Sequence, residues 1–64
     1  MRFAMRSYGC SLQAVDLLRA AGYVDASREC SEEYVVSVSV HEELDELHVL
    51  QLVQAIDSEA RPLA

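Results

Sequence analysis

From Glu29 to Ala60 the chain contains no lysine or arginine, yet it carries nine carboxylates there. Lysine, asparagine, threonine and tryptophan are absent throughout, glycine and cysteine occur twice each, and proline once. Gly9 and Gly22 are isolated, which excludes a glycine-rich phosphate-binding loop. Cys10 and Cys30 allow one disulfide at most and form no C-x-x-C pair, so a redox or zinc-ribbon motif is excluded and two reduced thiols are expected. No apolar run approaches the ~18 residues of a membrane-spanning helix. The segment Met1-Arg2-Phe3-Ala4-Met5-Arg6 lacks the apolar stretch of a signal peptide, and the expected location is the cytoplasm.

What remains is a chain of 64 residues, 52% hydrophobic, with a formal charge of −6. This length makes one domain, and a domain this small buries only ~60% of its unfolded surface, so its stability is marginal without a partner, metal or disulfide. The apolar fraction is too high for global disorder. Charge is segregated. Residues 1–28 hold four arginines against Asp16 and Asp25, a formal +2; residues 29–64 hold nine acids against Arg61, a formal −8. Such a negative surface repels nucleic acid and attracts cationic protein surfaces.

Hydrophobic periodicity orders the chain. Phe3 and Met5 alternate with Ala4 and Arg6, which predicts a first strand over Arg2 to Tyr8. Ser11 then stands as a helix cap. Leu12, Val15 and Leu18, with Gln13, Asp16 and Arg19 opposite, predict an amphipathic helix over 11–21. Gly22 follows as a left-handed terminator. Tyr23 and Val24 begin a second strand, and Ser31-Glu32-Glu33 is read as a hairpin turn. In residues 33–41, Tyr34, Val36, Val38 and Val40 alternate with Val35, Ser37, Ser39 and His41, the pattern of a strand with one buried and one wet face. Glu42-Glu43 opens a second helix, where acids suit the positive end of the helix dipole. Leu44, Leu47, Val49, Leu50, Leu52, Val53 and Ile56 give that helix an apolar surface wider than one sheet contact needs.

The expected fold is therefore α+β. It is a single compact β-α-β-β-α domain over residues 1–60, with two helices on one face of a two- or three-stranded sheet. It resembles the ferredoxin-like pattern without its last strand, and 61–64 is taken as a tail. An unpaired edge would offer a pairing site to another chain, a homodimer included.

The chemistry-bearing residues are few. His41, Asp45 and His48 lie close enough in sequence to consider a divalent ion, but one helical turn and a strand end rarely complete four ligands. Cys10, near a helix start, could pair with a histidine as thiol and imidazole, yet no third catalytic group or oxyanion hole accompanies them. Arg2, Arg6 and Tyr8 on a strand are a basic and aromatic set of the kind that meets nucleic acid, which the net charge opposes. The chain is thus expected to be non-enzymatic, with no cofactor and no metal. The candidate partner-binding residues are Glu32, Glu33, Glu42, Glu43, Asp45 and Glu46, with Tyr34 at their margin. Carboxylates placed where phosphates would sit let an acidic protein occupy a nucleic-acid groove.

In size, acidity and absence of an enzyme site, the chain resembles the small anti-CRISPR inhibitor proteins encoded by phages. That resemblance implies stoichiometric binding to a CRISPR effector or a comparable nucleic-acid-binding defence complex, in a host bacterial cytoplasm. Two other readings stand beside it. The layout is similar to ferredoxin-like regulatory modules that bind small ligands between paired subunits. The broad second helix also suits a structural or assembly subunit.

Overall fold

The computed structural model describes residues 1–30 and 34–63. In chain order the elements are β1 (Arg2–Met5), α1 (Tyr8–Ala20), β2 (Ser27–Cys30), β3 (Tyr34–Ser37), α2 (Glu43–Ile56) and β4 (Arg61–Leu63). The strands form one antiparallel sheet in the order β2-β3-β1-β4, with both helices on one face. The α+β expectation holds, and the complete ferredoxin-like order is present.

The last strand corrects the expected tail. Only four residues separate α2 from β4, and a buried carboxylate turns them. Asp57 Oδ1 accepts the Glu59 amide at 3.0 Å, while Ala60 N donates to the Asp57 carbonyl at 3.0 Å. This Asx-type turn reverses the chain within three residues. Arg61–Leu63 then pairs with β1, Pro62 opposite Phe3. A proline is tolerated there because β4 is an edge strand, with one side of its backbone needing no ladder bond.

The start of α1 is also earlier than its periodicity suggests. Ser7, not Ser11, is the cap. Its backbone is extended (φ −153°, ψ 162°), and its hydroxyl accepts the Cys10 amide at 3.2 Å. Arg6 N leaves the β ladder and donates to Asp57 Oδ2 at 2.8 Å, so the strand stops at Met5 and Tyr8 becomes helical. Ser11 is buried instead. Its hydroxyl donates to the Tyr8 carbonyl at 2.6 Å and accepts from Arg28 Nε at 3.0 Å, and the Arg28 guanidinium lies 4.3 Å from the Tyr8 ring centre. The second strand begins at Ser27 rather than at Tyr23. The reason is the end of α1: Gly22 N donates to Arg19 O and Tyr23 N to Leu18 O, with Gly22 at φ +106°. That Schellman closure consumes the Tyr23 amide, and the next residues form a loop.

The strand expected over 33–41 is paired over Tyr34–Ser37, then extended by Val38 N donating to Met1 O at 2.9 Å. The proposed hairpin turn at Ser31, Glu32 and Glu33 lies outside the described residues. Val36 and Val38 enter the core with Phe3, Met5, Ala14, Val15, Leu18, Ala26, Val49, Val53 and Ala60. Tyr34, assigned to the buried face, is 44% exposed at the strand end, and Val35, assigned to the wet face, is 3% exposed.

Val35 is covered by other side chains of the open face. Strand register places Glu29, Val35, Ala4 and Arg61 in one row across β2, β3, β1 and β4. Ser27, Ser37, Arg2 and Leu63 form the next row. Arg2 and Glu29 reach across β3 and make two hydrogen bonds, at 2.6 and 3.2 Å, roofing the valine between them. The Glu29 carboxylate, first by hydrogen bonding and then by its charge, holds Arg2 above its ordinary pKa.

Candidate interaction surface

The antiparallel topology gives the molecule two poles. At one, β1 ends, α1 begins and β3 starts at Tyr34. At the other, α1 ends, β3 exits through Ser39 to His41, and α2 begins. The candidate residues divide between them. Tyr34 is at the first pole. Glu42, Glu43, Asp45 and Glu46 are at the second. Glu32 and Glu33 lie outside the described residues. Tyr34 and the acids of α2 therefore do not share one surface. Cys10 is at the first pole and both histidines are at the second, so the thiol–imidazole pairing considered from sequence is not formed.

The second pole is built by local sequence. The Schellman end of α1 aims Tyr23 across to α2. Its hydroxyl lies 3.1 Å from His48 Nδ1 and 3.4 Å from Asp45 Oδ1, with Tyr23 and His48 ring centres 6.0 Å apart. Burial first, then the Asp45 carboxylate, raise the Tyr23 pKa above its ordinary 10.0. In the adjacent loop Asp25 Oδ2 accepts the Ser39 amide at 3.0 Å. Hydrogen bonding from Ser39 is the main cause of a lowered Asp25 pKa, and the His41 charge adds to it. A shallow cleft of about 310 Å³ lies between these groups, lined by Tyr23, Val24, Asp25, Ser39, Val40, His41 and Asp45 among others. Its polar groups largely satisfy one another, which makes it a latch joining the loop after α1 to α2. His41, Asp45 and His48 do not converge as ligands: among the described residues no group of three or more His, Cys, Asp or Glu is placed to hold a metal ion.

The other side of α2 differs. Met1, Glu43, Glu46, Leu47 and Leu50 line a mostly apolar cleft of about 340 Å³. Leu44 is 77% exposed and Leu47 56%. Glu42 occupies the N-cap position and makes no side-chain cap bond. The ion pairs among the described residues are Arg2–Glu29 and Arg6–Asp57, so Glu42, Glu43 and Glu46 have no cationic partner there. Arg19, at this end of α1, is turned toward β2, where its Nε donates to the Ala26 carbonyl at 3.0 Å.

The sequence singled out the acids of α2 and Tyr23 as an amphipathic anchor, but did not show that Tyr23 and Asp25 close the second pole or that Leu44 is exposed. The Gly22-Tyr23 step carried the signal for Tyr23, because a terminator glycine fixes the direction of the next side chain. Leu44 gave no such signal: it falls within the apolar count of α2 and departs from the Val49–Val53 stripe only in angle around the helix. No protein-family model, curated protein or solved structure matches this chain.

Proposed function

We propose that this protein is a non-enzymatic interaction module that docks a basic surface on another protein through the first two turns of α2. The observation that carries this reading is the pairing of exposed Leu44 and Leu47 with Glu42, Glu43 and Glu46, which no cation of the described residues neutralises. Interfaces are built this way, with an apolar centre and a polar rim. Residues three and four apart on a helix are neighbours with Cβ atoms ~5–6 Å apart, so their carboxylates form a dense anionic row. A surface built for nucleic acid offers cations to a similarly dense row of anions. The partner class favoured by charge is therefore a nucleic-acid-binding protein, and binding would exclude the nucleic acid. An inhibitor of a defence complex is one such case.

The test is a triple reversal, Glu42→Lys, Glu43→Lys and Glu46→Lys. Parent and variant are used to capture proteins from a bacterial lysate at low and high salt, and each captured protein is purified and titrated against a bound oligonucleotide. The parent should displace the oligonucleotide in a salt-sensitive manner, while the variant, folded by circular dichroism, should not. Equal displacement by both would refute acidic docking.

A further inference from the structure

The cleft beside α2 has a lining whose chemistry selects an occupant. Glu43, Glu46, Leu47 and Leu50 stand at i, i+3, i+4 and i+7, so they share one face of the helix, and Met1, just ahead of β1, completes the lining. Met1 and Leu50 pack against the apolar core, while Leu47 is 56% exposed. An apolar side chain placed here extends that core and takes Leu47 out of water. None of the five side chains donates a hydrogen bond from its carboxylate, thioether or hydrocarbon, and the Met1 ammonium donates to the Val38 carbonyl at 2.6 Å. Phosphate, sugar and nucleic acid therefore find no side-chain donor, and the two carboxylates repel an anion. What the lining accepts is an apolar group with positive charge close by.

Two further observations favour a protein segment over a small organic cation. The cleft of about 340 Å³ is near the bottom of the ~300–1,000 Å³ range of small-molecule sites, which suits one large side chain better than a whole cofactor. The surface also continues beyond it, because Glu42 and the 77% exposed Leu44 lie outside the lining at the start of the same helix. Glu43 and Leu47 are four residues apart, as are Glu46 and Leu50. A partner helix with Lys or Arg one turn from an apolar residue has the same interval, ~5–6 Å between Cβ atoms, and so matches both pairs.

Resting on the acidic docking proposed for α2, we infer that the cleft receives one leucine- or methionine-sized side chain from a basic amphipathic helix of the partner, with Lys or Arg one turn away facing Glu43 and Glu46.

Two capped alanine–lysine peptides of roughly 16 residues, long enough to be helical alone, are the probes. One carries a central leucine one turn from two lysines, and the other has glutamine in place of that leucine. Each is titrated against isotope-labelled protein at low and high salt and followed by NMR of the methyl groups. The leucine peptide should bind about tenfold more tightly and shift the methyl signals of Met1, Leu47 and Leu50. Leu47→Gln should remove the preference for leucine. The double variant E43Q/E46Q should weaken both peptides and flatten the salt dependence. Salt-sensitive binding with no preference for leucine overturns the insertion and leaves acidic docking standing. A leucine preference that E43Q/E46Q does not weaken overturns the charge pairing and acidic docking with it, and so does the absence of binding by both peptides at low salt. Hexylammonium that binds as tightly as the leucine peptide gives the cleft to a small organic cation, and methyl shifts that change on dilution of the protein alone give it to a second copy; either result overturns the proposal. Leu47 is exposed, so its variant should fold; if circular dichroism shows otherwise, the two peptides on the parent decide alone.

Discussion

Asp57 is expected to be the residue whose loss most damages the fold outside the apolar core. Its side chain is fully buried, and it joins three elements. Oδ2 accepts the Arg6 amide at 2.8 Å and Oδ1 the Glu59 amide at 3.0 Å, which ties the end of β1 to the turn between α2 and β4. Asp57→Ala leaves both amides without an acceptor. A hydrogen bond to a charged group contributes about 1.5–3 kcal/mol. Removing the carboxylate also relieves the cost of burying its charge. A net loss of about 3 kcal/mol follows, against a total of roughly 3–10 kcal/mol for a chain of this length. At about 4–8 °C per kcal/mol, melting should fall by about 12–24 °C. Asp57→Asn keeps one acceptor oxygen and should lose about half as much. Arg6→Gln is the control. Its guanidinium is 3.8 Å from Asp57 Oδ1 and largely exposed, so solvent screens the pair and the melting curve should stay close to that of the parent. Thermal melts followed by circular dichroism measure all three. If Asp57→Ala melts within about 3 °C of the parent, the buried carboxylate does not hold these elements together.

Gly22→Ala should destabilise by about 1–2 kcal/mol in a urea titration: no atom crowds the added Cβ, but φ +106° is unfavourable for any L side chain. An unchanged midpoint would mean that the end of α1 relaxes to another conformation. For Asp25 the folded pKa lies below the ordinary 3.8, so its contribution is complete above that value and disappears as pH falls through the folded pKa. Melting curves of the parent and Asp25→Asn should therefore differ at neutral pH and converge as pH falls below the folded pKa; a constant gap would show that the ionised carboxylate is not the cause.

The parts legible in the sequence were those governed by repetition. Leu12, Val15 and Leu18 announce α1, and the valines of 34–40 announce a strand, because burial of one face forces a period. The boundaries were hidden because single side-chain hydrogen bonds decide them. Ser7 caps α1 only because Asp57, fifty residues away, takes the Arg6 amide and ends the strand. β4 was hidden for the same reason, since Pro62 resembles a stop until Asp57 is seen to make the turn. Val35 was placed on a wet face, as its parity requires, but parity cannot show that Arg2 and Glu29 close over it. The acidic run was visible as composition. Its division between poles was not, because that depends on β3 separating Tyr34 from α2.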